Sequence, residues 1–205
     1  MKTTSGNKDF LGCSALHLAV EAGDIAKVRE LLATKNIDVN SSANNKYTPL
    51  HVAAIFGKTE IAQVLIQEGK ADIEAKDYVE HSPLHLAIIN KELELAKHLL
   101  NAGANINATN HKGITPMHYA AMNNHVESIQ FLIENNANVN AADPNGETPL
   151  HFAKIWNNRE AIQLLTKLVE QETKPTLLFS FSQLTESLSS MFYKKPTEDQ
   201  QKPSP

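Results

Sequence analysis

The sequence predicts an all-α solenoid of helix-turn-helix units joined by β-hairpin-like loops, with one further helix near the C-terminus. Three observations carry that prediction. A short phrase ending in leucine or methionine and then histidine recurs five times, with its histidines at 17, 51, 85, 118 and 151, spaced by 34, 34, 33 and 33 residues. Apolar residues after each histidine fall at helical spacing. Between the two apolar segments of every unit lies a chain-reversing residue at a constant offset.

Each unit opens on the phrase itself: Ser14-Ala15-Leu16-His17, Thr48-Pro49-Leu50-His51, Ser82-Pro83-Leu84-His85, Thr115-Pro116-Met117-His118 and Thr148-Pro149-Leu150-His151. A hydroxyl followed by proline suits a helix start, because the hydroxyl can accept from free backbone N–H groups and proline fits the first helical position. Two residues after each histidine comes an alanine, at 19, 53, 87, 120 and 153. A residue that small lets the first helix lie close to its neighbours. The stop signal follows at Gly23, Gly57, Lys91, Asn124 and Asn157. Glycine and asparagine enter the left-handed conformation with least strain, and Lys91 departs from that pattern.

The second helix of each unit carries an apolar pair: Leu31-Leu32, Leu65-Ile66, Leu99-Leu100, Leu132-Ile133 and Leu164-Leu165. An apolar partner precedes each pair by about one helical turn, at Val28, Ile61, Leu95, Ile129 and Ile162. After the second helix, Gly69, Gly103 and Asn136 mark another reversal, and Asp72-Ile73, Asn105-Ile106-Asn107 and Asn138-Val139-Asn140 read as extended turns. One unit cannot bury its apolar face alone, whereas a stack of them can.

These phrases identify the resemblance. The sequence resembles the ankyrin repeats, whose length and Thr-Pro-Leu-His-x-Ala phrase it reproduces in five in-phase copies over residues 7–170. The repeats run at about 9–42, 43–76, 77–109, 110–142 and 143–170, after an N-terminal tail of residues 1–6. The hairpin turns Asp9-x-x-Gly12, Asn110-x-x-Gly113 and Asp143-x-x-Gly146 match the family pattern. Lys46 and Glu80 stand where the second and third turns lack the glycine, so those two hairpins are expected to bend differently.

The resemblance implies a protein–protein interaction module, an adaptor or inhibitor, that grips another protein with its concave face. Partners of such proteins lie across the hairpin tips and first helices. Carried over by position, the candidate contacts are Phe10 and Leu11; Tyr47, Ile55 and Phe56; and Tyr78, Val79, His81, Ile89 and Asn90. The later repeats add His111, Lys112, Ile114, Met122, Asn123, Asn145, Glu147, Ile155 and Trp156. Tyrosine, phenylalanine and tryptophan on a solvent-facing surface point to an interaction site. The bland alternative is that Ile55, Ile89, Met122 and Ile155 pack between neighbouring first helices.

Bulk chemistry narrows the rest. A net charge of −4 and no denser basic spot than Lys194-Lys195 argue against nucleic acid as partner. The single cysteine, Cys13, excludes an intrachain disulfide and a cysteine-based zinc site. The start lacks the apolar run of a signal peptide and no stretch is long enough to span a bilayer, so a soluble, monomeric, cytoplasmic protein is expected. The Asn- and Lys-rich composition and polar tail also resemble ankyrin effectors that intracellular bacteria export into host cells.

Enzyme motifs are absent: there is no His-Glu-x-x-His, phosphate-cradling Gly-rich loop, Gly-x-Ser-x-Gly or Cys-x-x-Cys. No cofactor is expected. The resemblance makes the five repeat histidines structural, bonded to backbone of a neighbouring turn. A histidine-based metal protein using His81 with His85 or His111, and a purely structural spacer, are the competing readings. Beyond Pro175, the residues Phe181, Leu184, Leu188, Met191 and Phe192 fall on one helical face. Residues 171–193 thus read as a capping or docking helix, and 194–205 as a disordered tail.

Overall fold

The computed structural model describes residues 12–34 and 36–173, with side chains as far as residue 170. The expectations for residues 1–11, for the helix around 181–193 and for the tail lie outside the described residues. The chain divides into two compact units between Leu165 and Thr166. Of the second unit, the described part is the helical stretch from Thr166 to Thr173 that ends α10.

The first unit is built of paired helices. These are α1 (Ala15–Ala22) with α2 (Ile25–Leu32), α3 (Pro49–Ile55) with α4 (Thr59–Gln67), α5 (Pro83–Ile89) with α6 (Leu93–Asn101), and α7 (Pro116–Met122) with α8 (Val126–Glu134). A fifth pair is begun by α9 (Pro149–Ile155) and α10 (Arg159–Thr173), which runs three residues past the end of the periodic pattern at 170. No strand occurs among the described residues.

First helices pack in series, α1 on α3, α3 on α5, α5 on α7 and α7 on α9. The repeated alanines make this close approach possible: Ala53, Ala87, Ala120 and Ala153 are wholly buried and Ala19 nearly so. Larger side chains fill the space behind them, with Leu16, Leu50, Leu84 and Met117 from the first helices meeting Val28, Leu65, Leu99 and Leu132 from the second. The result is one continuous apolar core running from repeat to repeat.

Each first helix ends the same way. Gly23, Gly57, Lys91, Asn124 and Asn157 all adopt positive φ, between 54° and 77°. The next residue then donates its N–H back to the carbonyl of the buried alanine, at 2.8–3.0 Å in all five repeats. Lys91 therefore performs the turn that glycine or asparagine performs elsewhere. After α4 the left-handed residue is Lys70 (φ 56°), not Gly69 as the sequence suggests. Gly69 answers a different need: a Cβ there would meet the Leu65 carbonyl oxygen at 2.8 Å.

The hairpins correct a second expectation. Lys46 (φ 58°) and Glu80 (φ 66°) take the conformation of Gly113 (φ 74°) and Gly146 (φ 81°). The same two backbone bonds close every described hairpin: the N–H groups of Ala43, Asp77, Asn110 and Asp143 donate to the carbonyls of Tyr47, His81, Ile114 and Glu147, and their own carbonyls accept from Lys46, Glu80, Gly113 and Gly146, all at 2.9–3.1 Å. Hairpins two and three thus bend like the others despite lacking glycine, because hydrogen bonding outweighs the roughly 1 kcal/mol cost of a left-handed side-chain residue.

Candidate functional site

The histidines of the recurring phrase fix where the hairpins sit. In the first four repeats Nδ1 accepts the N–H of the helix-capping Ser or Thr at 3.2 Å. An accepting Nδ1 leaves the proton on Nε2, which donates to the next hairpin: to the carbonyls of Tyr47 (2.8 Å), His81, Ile114 and Glu147 (each 3.1 Å). Each histidine is thus a strut between its own helix start and the following hairpin. Burial lowers the pKa of His51 and His118 and pushes that of His85 down to about 3, so these rings work in the neutral form. His151, in the fifth repeat, is exposed.

Neighbouring hairpins are joined edge to edge. Tyr78 donates its N–H to the Asn45 carbonyl at 2.9 Å, and His111 Nδ1 bonds the Val79 carbonyl at 2.6 Å. Beneath the tips runs a side-chain chain of hydrogen bonds. Asp77, buried, accepts the N–H groups of Val79 and His81, and its second oxygen accepts from His81 Nδ1 at 3.1 Å. His81 Nε2 then accepts the Tyr119 hydroxyl proton at 2.7 Å, and the same oxygen accepts from Asn110 Nδ2 at 3.0 Å. Burial raises the pKa of Tyr119, which keeps the phenol a donor.

These bonds occupy the two histidines, His81 and His111, that a metal reading would use. Both ring nitrogens of His81 are engaged, by Asp77 and by Tyr119, while His111 bonds backbone. His85 lies with its ring 5.6 Å from that of His81, yet its nitrogens face Ser82 and Ile114. Among the described residues no group of three or more His, Cys, Asp or Glu comes together at metal-holding distance.

The candidate contacts divide by exposure. Tyr78 is 76% exposed, Trp156 61%, Ile155 58% and Phe56 50%. These are large apolar side chains open to solvent on the hairpin-and-first-helix side. Phe56 and Trp156 occupy equivalent places, each the residue that caps its first helix. Asn90 and Asn123 hold that place in the third and fourth repeats and are exposed.

Ile114 is the clear correction: it is only 5% exposed, not solvent-facing. Tyr47 is half-buried against the core, with burial raising its pKa and its ring 6.0 Å from that of His51. Both positions precede the capping Ser or Thr, and both supply the carbonyl that a histidine strut holds. Holding that carbonyl draws the residue toward the stack. Ile55 and Ile89 likewise pack half-buried on the core, whereas Ile155 stands clear. Val79 and Met122 are half-buried, Lys112 and Asn145 exposed, and Phe10 and Leu11 fall outside the described residues.

A groove of about 520 Å³ opens between the fourth and fifth hairpins. The hairpins bring Lys112, Ile114, Asp143, Pro144, Asn145 and Glu147; α7 and α9 bring Tyr119, Met122 and Phe152. Lys112, Ile114, Met122 and Asn145 are among the residues expected from sequence. Tyr119 and Phe152 are additions, and both directly follow a repeat histidine. That position holds Leu18, Val52 and Leu86 in the earlier repeats, so its change from aliphatic to aromatic is the signal that marks them.

The family model for ankyrin repeats, in its three-copy form, matches residues 2–77 and again residues 84–176. Comparison with curated proteins returned no match.

Proposed function

Because the chain belongs to the ankyrin-repeat family, whose repeats are generally protein–protein interaction modules, we propose that it is an adaptor or inhibitor that grips a partner protein with its concave face. The observation that carries this reading is the exposure of Phe56, Tyr78 and Trp156, at a hairpin and at two first-helix ends, in a stack whose other large apolar side chains are mostly core. Solvent-facing aromatics of this kind supply much of the energy of protein interfaces. The hairpins around them are cross-linked through backbone and side chains, so the face is preorganised and loses little entropy on binding. No described helix is long and apolar enough to cross a membrane.

The test is affinity capture from cell extract with the wild type beside a Phe56→Ala/Tyr78→Ala/Trp156→Ala variant. A protein retained by the wild type and lost by the equally folded variant supports the reading. Equal retention places binding elsewhere on the chain. Retention of nothing by either protein favours the structural spacer.

A further inference from the structure

We propose that the groove between the fourth and fifth hairpins is a subsite for an arginine-bearing peptide segment, with a bulky apolar residue beside the arginine. This rests on the concave-face reading and names the chemistry recognised there. The groove's volume of about 520 Å³ is in the range that admits a few side chains of a bound segment.

Its charge is unbalanced in favour of a cation. Asp143 and Glu147 set two carboxylates against the one ammonium of Lys112. Asp143 is a fixed charge: its oxygens accept the N–H groups of Asn145 and Glu147 and the Asn145 amide, at 2.8–3.2 Å. Those bonds hold its carboxyl below the usual carboxylate range. Glu147 bonds through its backbone, to Asp143 and His118, and its carboxylate makes no ion pair among the described residues. Lys112 disfavours a second cation, which limits the segment to one.

The remaining lining selects the kind of cation. Tyr119 and Phe152 offer aromatic rings, and a planar guanidinium both stacks on such rings and pairs with a carboxylate through parallel N–H groups. A lysine ammonium does the first less well and cannot do the second. Met122 and Pro144 supply an adaptable apolar wall for the neighbouring residue.

Methionine-methyl NMR tests this directly, because the chain has four methionines, and of the two described ones only Met122 lines the groove while Met117 is buried in the core. The probes are capped tetrapeptides with leucine followed by arginine, glutamine or glutamate, and a Met122→Leu protein assigns the signal. The arginine peptide should move the Met122 methyl saturably and the glutamate peptide should leave it in place. Glu147→Gln should weaken the arginine peptide by roughly fivefold, the effect of losing a half-exposed ion pair. Equal binding of the arginine and glutamine peptides would overturn the proposal, as would a Met122 signal that no peptide moves. If that happens while capture still depends on Phe56, Tyr78 and Trp156, the subsite fails and the concave-face reading stands. If capture is also indifferent to those residues, both fail.

Discussion

Lowering the pH from 7 to 5 should destabilise this protein steeply, through histidines that cannot hold a proton in the folded state. His85 is the clearest instance. Its Nδ1 accepts the Ser82 N–H and its Nε2 donates to Ile114, so protonating it would turn an acceptor into a donor facing a donor. Burial pushes its pKa down to about 3, against an ordinary value of 6.5. The unfolded chain therefore binds a proton that the folded chain refuses, and stability falls as pH drops through 6.5 toward 3.

Between pH 7 and pH 5 that single proton is worth about 2 kcal/mol, since the unfolded histidine goes from mostly neutral to almost fully charged while the folded one stays neutral. His51 and His118 are shifted in the same direction by burial and add to the loss. Carboxylates do not obscure it. The pKa values of Asp143 and Glu160 are lowered, so their contributions hold above the unfolded carboxylate values near 4 and are lost only below them. Urea unfolding followed by circular dichroism at the two pH values measures the slope. The same experiment on His85→Gln should show lower stability at pH 7 but about 2 kcal/mol less loss on acidification. An unfolding free energy that is flat between pH 7 and 5, or one whose slope His85→Gln leaves unchanged, would refute the neutral-strut assignment.

Other consequences follow from packing and backbone geometry. Glu80→Gly should raise the unfolding free energy by up to about 1 kcal/mol, since glycine removes left-handed strain at φ 66° while adding some unfolded-state entropy; a lowered melting temperature would count against strain there. Ala87→Leu should cost about 1–3 kcal/mol or more, because the alanine is fully buried where α3, α5 and α7 approach one another. Leu99→Ala, removing a wholly buried side chain from α6, should cost about 2–5 kcal/mol in thermal or urea unfolding. Phe56→Ala and Trp156→Ala should each weaken partner binding by about 2 kcal/mol or more while leaving the melting temperature nearly unchanged; a large loss of stability would place those rings in the core instead.

The repeat architecture was legible because its determinants are local and periodic. The spacing of His17, His51, His85, His118 and His151, the alanine two residues on and the apolar pairs of the second helices all report the same stack. Turn geometry was less legible. Glycine marks most of the left-handed positions but misleads at Gly69, and Lys46, Glu80, Lys70 and Lys91 show that hydrogen bonds impose the same conformation on a long side chain. Nothing in a lysine or glutamate announces this; only the offset from the phrase does.

Exposure agrees with the position-based expectation at Phe56, Tyr78 and Trp156. At Ile114 the two disagree, because the residue before the capping hydroxyl is not a free tip. That residue's carbonyl is the acceptor of the preceding repeat's histidine, a long-range bond that sequence spacing alone does not display. Tyr119 and Phe152 lie outside the family's contact positions for a related reason. Their position is aliphatic in three repeats, and the groove that exposes them forms only between two neighbouring hairpins.

Trp156 is the only tryptophan in the chain, which makes the central proposal accessible to one spectroscopic measurement. With 5-fluorotryptophan incorporated, the protein gives a single ¹⁹F tryptophan signal that reports the exposed ring on the fifth repeat's first-helix side. Adding the captured partner at stoichiometric concentration should shift and broaden that signal as the ring is removed from water. Formation of the complex, verified by size, with the signal left at its free position would contradict a partner seated across the concave face at Trp156.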